Sequence, residues 1–450
     1  MRDSARYAWW LLIVFFTLLI AGNTYMFWRL FRAPDTQGLA SSNRQLNVEF
    51  QIRYVLALEQ FGLGKLASAQ ALESVFKGLD DAYAPYEAAV YRAILQRVFE
   101  GGDPAQTLQQ LPDLPSQTLS PTERRWQAAY WQAVFRESPE LDRVDALRAP
   151  SPFAEKLLQV ALALQAGNQA QADALRQPLT REAARSVLTL GILFGALGLI
   201  GLAGLIVLLW YIVARPALPS RPAPDESPFV YDPLLWALVI FLVVLLNAPT
   251  ISHLLRDWRI DASNGVYLLA VLLPLMFLVS LREQPDALGQ IRWFTGAWWK
   301  QVGAGLMGYA AYVPFLGALL MLTVYIAPAL PAEQTNPIGE RVSDTQTTLQ
   351  WLWTFVQVAV LAPIIEEFVF RGALFKVLWQ RTGRVWLSAF VSGYLFAVIH
   401  PQFLGGVFPI TFLGAVLALV YAHTRSLLPC ILIHALNNGL ITLILWSVSG

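Results

Sequence analysis

The chain has 450 residues, of which 56% are hydrophobic and 14% are charged, whereas about 25% of residues are charged in a typical soluble domain. This shortage of charge excludes an ordinary soluble enzyme. The 32 basic and 31 acidic residues nearly balance, so we expect no cationic surface for nucleic-acid phosphates and no nucleic-acid partner. The single cysteine excludes an intramolecular disulfide and any multi-cysteine metal site.

The charges divide the chain into two kinds of sequence. Residues 35–185 carry 33 charges, a density typical of a soluble domain, while the other 299 residues carry only 30. We therefore predict an all-α fold, in which a polytopic bundle of transmembrane helices carries a soluble helical insertion between its first and second spans.

About nine segments are apolar enough to cross a bilayer, which takes about 20 apolar residues in a helix. The first belongs to a predicted N-terminal membrane anchor at 1–32. We interpret it as uncleaved, because its apolar core is long for a signal peptide. The nine predicted spans are 8–28, 187–213, 233–250, 264–281, 302–328, 350–375, 385–400, 404–422 and 427–448.

The spans define the remaining predicted domains. Residues 33–185 are predicted to form an extracytoplasmic helical domain, because apolar residues recur there at helical spacing. Whether it is an irregular bundle or a set of tetratricopeptide-type helix pairs stays open, and it is a candidate for binding another protein. Residues 186–232 hold the second span and a proline-rich cytoplasmic linker, and 233–450 form the intramembrane core with its motifs in 350–445. A tryptophan-rich stretch at 289–300 predicts an interfacial helix.

The basic residues of the short loops predict the orientation of the chain, since Lys and Arg prefer the cytoplasmic side. A cytoplasmic N-terminus places eleven of them inside and three outside. The inside set is Arg2, Arg6, Arg215, Arg221, Arg282, Arg292, Lys300, Lys376, Arg381, Arg384 and Arg425, and the outside set is Arg256, Arg259 and Arg341. We therefore expect a multi-pass integral membrane protein whose 33–185 domain is extracytoplasmic.

Ionisable side chains inside a span are costly, so each is a candidate for function. Glu367 and Arg371 lie four residues apart and are predicted to pair on one helical face, while Glu366 points about 100° away. On two later spans lie His400, at the helix end, and His434. Polar groups therefore enter the membrane on three separate helices near the C-terminus.

These residue types suit the hydrolysis of an amide. A carboxylate beside a histidine can take a proton from water, and a second histidine with an amide can stabilise the oxyanion that forms. Asn437 and Asn438 both lie within one helical turn of His434, and spacing alone does not choose between them. Glu366, His400 and His434 are also a ligand set typical of catalytic zinc, although the compact His-Glu-x-x-His motif is absent.

Three short motifs in order carry a resemblance to a known family. They are Glu-Glu-x-x-x-Arg at 366–371, Phe-x-x-x-His at 396–400 and His-x-x-x-Asn at 434–438. Together they resemble the CPBP intramembrane endopeptidases, which include the type II CAAX prenyl proteases and the bacteriocin-immunity (Abi) proteins. The close resemblance covers about 350–445, and the 33–185 domain matches nothing in that family.

The resemblance implies a role for each motif residue. Glu366 would activate water with the help of His400, and His434 would form the oxyanion hole with Asn438, which the family motif selects over Asn437. Glu367 and Arg371 would support the site. Although the family is often called metallo-, this chemistry does not require a metal. We therefore expect no cofactor, with a divalent metal such as zinc, held by Glu366, His400 and His434, as the alternative.

The sequence thus predicts an intramembrane endopeptidase that cleaves a membrane-embedded or lipidated peptide in or near the bilayer. Two alternatives remain: a non-catalytic scaffold or bacteriocin-immunity protein, and a proton-coupled transporter that uses Glu366 and the histidines as a relay. One expectation conflicts with the mechanism. The predicted span limits place Glu366 near the cytoplasmic end of its helix and His400 near the outer end of the next.

Overall fold

The computed structural model describes residues 2–32, 37–62, 65–101, 104–116, 119–136, 149–214, 231–246, 292–326, 347–400 and 404–449. The regular structure of these residues is entirely helical, which confirms the all-α fold class. The chain divides into two compact units. The membrane unit comprises Met1–Ala33 and Gly195–Trp446, and the charge-rich unit comprises Pro34–Phe194 and Ser447–Gly450.

The charge-rich unit is built from short amphipathic helices around an apolar core. Its buried residues recur at three- and four-residue spacing, as in Ile52, Val55 and Leu56, which confirms the helical pattern read from the sequence. The helices are α2 (Gln37–Gln60), α3 (Lys65–Ala82), α4 (Pro85–Leu95), α5 (Ala105–Gln109), α6 (Pro121–Arg136) and α7 (Pro152–Gln165). The long helix α8 (Gln169–Ala214) begins in this unit.

The membrane unit consists of long apolar helices. Four helices of the described chain are long and apolar enough to cross a membrane, and three shorter apolar helices accompany them. The unit contains α1 (Arg2–Arg32), the C-terminal part of α8, α9 (Tyr231–Leu246), α10 (Trp298–Ile326), the composite helix α11 (348–382), α12 (Val385–Val398), α13 (Leu404–Thr424) and α14 (Leu427–Ser449). The predicted span at 264–281 lies outside the described residues, so the count of nine stays a prediction.

The predicted interfacial helix at 289–300 is wrong at residues 292–297. Residues 292–297 are not helical, and α10 begins only at Trp298. The backbone carbonyls of Arg292 and Trp293 instead accept hydrogen bonds from the amides of Leu427 and Leu428, at 3.0 and 3.2 Å. These amides have no partner within the first turn of a helix, so the segment caps the N-terminus of α14.

The composite helix α11 alternates between two helical forms. The α-helical segments Thr348–Val356, Ala362–Glu367 and Lys376–Thr382 are separated by π-helical segments at Gln357–Leu361 and Phe368–Phe375. A proline within a helix has no amide hydrogen and clashes with the preceding turn. The wider first π segment lies directly before Pro363 and accommodates it. π segments often occur at functional sites, and these two flank Glu366 and Glu367.

The helix that carries Glu366 also continues further than the span predicted to end at residue 375. It ends at Thr382, where Gly383 adopts a left-handed conformation with φ of 64°, a common helix stop. The polar residues of 376–382 remain helical because Lys376, Val377 and Trp379 are buried in the protein. Glu366 and His400 then both lie roughly 23 Å from the turn between α11 and α12, at about 1.5 Å per residue. The expected difference in depth is therefore wrong.

Candidate functional site

The side chains singled out in the sequence meet between three helices of the membrane unit. Glu366, Glu367 and Arg371 come from α11, His400 lies just after the end of α12, and His434 comes from the second turn of α14. The described residues therefore include a polar cluster enclosed by apolar helices. This arrangement agrees with the expectation that charges inside a membrane segment face a protein interior and have partners.

A buried ion pair forms the base of the cluster. Arg371 Nη1 donates to Glu367 Oε1 at 2.8 Å, and both side chains are completely buried. Arg371 Nη2 donates to the backbone carbonyl of Gly414 at 3.0 Å. The predicted pairing across one turn is therefore present, and the guanidinium is also attached to the backbone of α13.

Glu367 makes a second contact that the sequence did not predict. Its Oε1 atom lies 2.8 Å from His434 Nδ1, so the carboxylate connects Arg371 to the histidine. A neutral imidazole that donates from Nδ1 to a carboxylate has no hydrogen on Nε2. This contact therefore orients His434 with the Nε2 lone pair directed away from Glu367.

His400 is oriented in the same way by a different acceptor. Its Nδ1 atom lies 2.8 Å from the backbone carbonyl of Phe396, which also favours a hydrogen on Nδ1 and a lone pair on Nε2. The Phe396 ring packs edge-on against both His400 and His434, with ring centroids 4.8 and 5.6 Å apart. It also lies under Arg371, whose Cζ is 4.7 Å from the ring centroid.

Glu366 faces both oriented histidines. Its Oε2 atom lies 3.6 Å from His434 Nε2 and 4.0 Å from His400 Nε2. The same oxygen is buried and has no hydrogen-bond partner among the described residues. When both imidazoles are neutral and carry their hydrogen on Nδ1, three acceptor atoms converge on one point and these side chains supply no hydrogen to it. Such a point requires a donor such as water, or a cation.

The asparagines occupy the next turn of α14. Asn438 donates from Nδ2 to the carbonyl of Val358 at 3.1 Å, within the first π segment of α11. Asn437 is buried and donates weakly to Asn438 Oδ1 at 3.4 Å, while its own Oδ1 has no partner among the described residues. The amide predicted for an oxyanion hole is thus held against α11, one turn from His434.

Two contributors to the site could not be predicted from the sequence. They are the carbonyls of Gly414 and Val358, because a backbone acceptor has no signal in a sequence. The four-residue spacing of Phe396 and His400 did predict that these two side chains share a helical face. The remaining described histidine, His423, is exposed, and its Nε2 lies 2.7 Å from Tyr211 Oη. Cys430 is completely buried.

Comparison with known proteins identifies the region that contains this site. Residues 348–440 match the model of the family described as type II CAAX prenyl endopeptidase Rce1-like. The membrane-embedded CAAX protease MroQ of Staphylococcus aureus is 26% identical over 144 residues, which cover 31% of this chain and 56% of that protein. The putative membrane peptidase YdiL of Bacillus subtilis is 24% identical over 110 residues, which cover 24% and 44%. No solved structure matches the chain.

The matched part is the C-terminal part of the membrane unit. It holds Glu366, His400, His434 and Asn438, and the chain spans about half the length of the curated relatives it matches. The resemblance found from the three motifs is thereby confirmed, and with the apolar helices it identifies an integral membrane protein. Residues 348–440 of this chain form a domain of the Rce1-like type II CAAX prenyl endopeptidase family.

Proposed function

We propose that this protein is an intramembrane endopeptidase in which Glu366 activates a water molecule for attack on a peptide bond. The observation that carries the proposal is the convergence of Glu366 Oε2 with the Nε2 atoms of His434 and His400, at 3.6 and 4.0 Å. A water at this point would donate one hydrogen to Glu366 and the other to a histidine. Its lone pair would then be free to attack a carbonyl carbon.

In the first step, the water oxygen forms a bond to the carbonyl carbon and a water proton passes to Glu366. The carbonyl π electrons move to oxygen and produce a tetrahedral oxyanion. His434, carrying a proton that its Nε2 takes from solvent before the attack and keeps through the reaction, and the Asn438 amide are the proposed donors to this oxyanion. The Asn438 amide now donates to Val358 O, so this role requires its side chain to exchange acceptors when substrate binds.

In the second step, the oxyanion electrons re-form the carbonyl while the carbon–nitrogen bond breaks, and the amine leaves with the proton held by Glu366. The other product is a new C-terminal carboxyl group, which retains the water oxygen and its second hydrogen. His400 assists these transfers from its Nε2 side, since its Nδ1 is occupied by the Phe396 carbonyl. Glu367 and Arg371 contact the histidine rather than the reacting point, so they are positioning residues. The proposed reaction thus uses one carboxylate as base and then as acid.

We propose that this chemistry proceeds without a metal. The same three side chains would nevertheless suit a divalent cation such as zinc, because each histidine has its other nitrogen bonded to an acceptor, as metal-binding histidines do. Two ligands of a tetrahedral zinc lie about 3.3 Å apart, slightly closer than the 3.6 and 4.0 Å found here. A bound cation would supply a Lewis acid.

The metal-free proposal is tested by dialysis against a chelator. Unchanged peptidase activity after dialysis supports the proposal, and a loss of activity that added zinc restores overturns it.

The proposed substrate is a membrane-embedded or lipidated protein or peptide within the bilayer. Glu366 and His400 are partly exposed, with side-chain exposures of 17 and 25%, so a peptide has access to them. MroQ is named a membrane-embedded CAAX protease, which supports this substrate class. We propose further that the N-terminus is cytoplasmic and that the charge-rich unit, on the other side, binds another protein.

Hydrolysis can be tested directly with isotopically labelled water. Membranes from cells that express the wild-type protein or Glu366→Gln are incubated in ¹⁸O water, and new peptide C-termini are identified by mass spectrometry. We expect ¹⁸O-labelled termini that disappear in Glu366→Gln, with a loss of rate of at least 10²–10⁴-fold, typical for removal of a general base. Glu73→Gln, an exposed carboxylate of α3, is the matched control and leaves the rate unchanged.

The alternatives give different results in the same preparations. A scaffold or immunity protein shows no labelled termini, and its cellular effect persists in Glu366→Gln. A transporter shows proton-coupled uptake in proteoliposomes that Glu366→Gln abolishes, again without labelled termini. Either result overturns the peptidase proposal.

A further inference from the structure

Helices α12 and α13 touch through their backbones at two glycines. A methyl group added to Gly393 would lie 2.6 Å from the carbonyl oxygen of Thr411 and 2.7 Å from the amide nitrogen of Ala415. A methyl group added to Gly414 would lie 2.6 Å from the Cα atom of Gly393. Any larger residue at either position therefore forces the two helices apart.

This crossing is directly connected to the polar cluster. The carbonyl of Gly414 accepts from Arg371 Nη2 at 3.0 Å, and the same guanidinium donates from Nη1 to Glu367 at 2.8 Å. Glu367 in turn orients His434. A methyl group on Gly414 would also lie 3.3 Å from Arg371 Nη2. The position of α13 is thus transmitted to His434 through two side chains.

The other glycine acts on the opposite side of the site. Gly393 lies on α12, one turn before Phe396 and two turns before His400. Phe396 contacts the Arg371 guanidinium through its ring and His400 through its carbonyl. A shift of α12 therefore moves His400 relative to Glu366, while Arg371 remains attached to α13.

We propose that Gly393 and Gly414 are positioning residues, whose backbone contact sets the distances from Glu366 to His400 and His434. Neither glycine belongs to the three motifs that carry the resemblance to the family. The proposal rests on the proposed peptidase function for its effect on rate, but not for its effect on the histidines.

The expected size of the effect follows from the geometry. An ordinary contact of 3.4 Å requires the helices to separate by roughly 0.8 Å at Gly393 or Gly414. A displacement of about 1 Å at reacting groups costs on the order of 100-fold in rate. We therefore expect Gly393→Ala and Gly414→Ala each to lower the rate of ¹⁸O-labelled product formation by roughly 100-fold.

The matched control is Gly303→Ala in α10. This glycine also lies within an apolar helix of the membrane unit, but a methyl group there would meet nothing within 4 Å. We expect it to retain the wild-type rate. All variants are purified in the same detergent and compared by size-exclusion profile and by labelling of buried Cys430, which show whether the fold is intact.

A second measurement does not depend on activity. The chain has only four histidines, so the nitrogen resonances of protein labelled with ¹⁵N-histidine can be assigned by single replacement. The shifts report which ring nitrogen carries hydrogen. We expect Gly414→Ala and Gly393→Ala to change the His434 or His400 signals and to leave His423 unchanged, and Gly303→Ala to change none of them.

The two measurements distinguish a failure of the proposed peptidase function from a failure of the proposed positioning role. Altered histidine signals without peptidase activity in any variant would overturn the proposed function but support the positioning role. Unaltered histidine signals with wild-type rates would overturn the positioning role. If the glycine variants do not fold, Arg371→Lys tests the same connection without adding a larger side chain between the helices. One ammonium group cannot contact both Glu367 and the Gly414 carbonyl as the guanidinium does. Wild-type histidine signals and rate in Arg371→Lys would overturn the proposal.

Discussion

The two units bury arginine–carboxylate pairs in different ways. In the membrane unit, Arg371 and Glu367 are both completely inaccessible to solvent. In the charge-rich unit, Arg53 is buried to 7% exposure, but its partner Glu182 remains 33% exposed. Both are arginine–carboxylate pairs. Only the charged groups of Arg371 and Glu367, however, have no access to water and must find their partners among protein atoms.

This difference shows how each unit uses its charges. A carboxylate near water can lose its partner and remain hydrated, so the pair contributes little to stability. A carboxylate enclosed by apolar helices has no such alternative. Glu367 accordingly has two partners, Arg371 and His434, which both contact its Oε1 atom. The Arg371–Glu367 pair therefore holds the candidate site together, whereas the Arg53–Glu182 pair, which water can reach, contributes less to its unit.

The difference between the ion pairs of the two units is tested most strongly by Arg371→Met. This replacement leaves the buried Glu367 carboxylate without its main partner, so we expect a loss of about 3–5 kcal/mol in the free energy of unfolding of the membrane unit. Cys430 is the only cysteine and is completely buried in this unit. The rate at which a thiol reagent labels it in mild detergent, across a denaturant series, measures the loss.

The double variant Glu367→Gln/Arg371→Met is the control for that result. It removes both charges and keeps an amide oxygen that can accept from His434 Nδ1, so it should recover most of the lost stability. If the single and double variants are equally unstable, the loss comes from packing of the arginine and not from an unpaired carboxylate.

A smaller effect is expected from Arg53→Met in the charge-rich unit. It removes a 3.1 Å contact with Glu182 and the stacking of Arg53 over Phe153, but Glu182 can be hydrated. We expect a loss of about 1–2 kcal/mol. The measurement uses Ala161→Cys in a Cys430→Ala background, since Ala161 is buried in this unit. A loss as large as that of Arg371→Met would contradict the comparison.

The smallest effect is expected from Asp80→Asn, at a pair in which Asp80 is exposed and Arg92 is half-buried. Arg92 and Asp80 are 2.8 Å apart but have side-chain exposures of 31 and 62%. We expect a change of at most about 1 kcal/mol that decreases at high salt, because water and ions screen such pairs. The same thiol reporter at residue 161 measures it, and a salt-independent loss above 2 kcal/mol would show that the pair is not screened.

Much of the site could be predicted because its information is local. The Glu367–Arg371 pair and the alignment of Phe396 with His400 follow from four-residue spacing on a helix, and both are present. The end of α11 could not be predicted from hydropathy. Polar residues after Phe375 resemble a loop in sequence, but they continue the helix because part of it is buried against other helices.

The sequence by itself determined the chemical groups: a charge-poor chain with two adjacent glutamates, two histidines and an amide on helices that cross the membrane. Those facts depend on residue type and helical period. The tertiary structure decided which atoms meet. His434 contacts Glu367 through Nδ1 and faces Glu366 through Nε2, and Asn438 reaches the carbonyl of Val358. These contacts depend on the separation and continuation of helices distant in sequence, and on backbone acceptors, for which side-chain spacing carries no information.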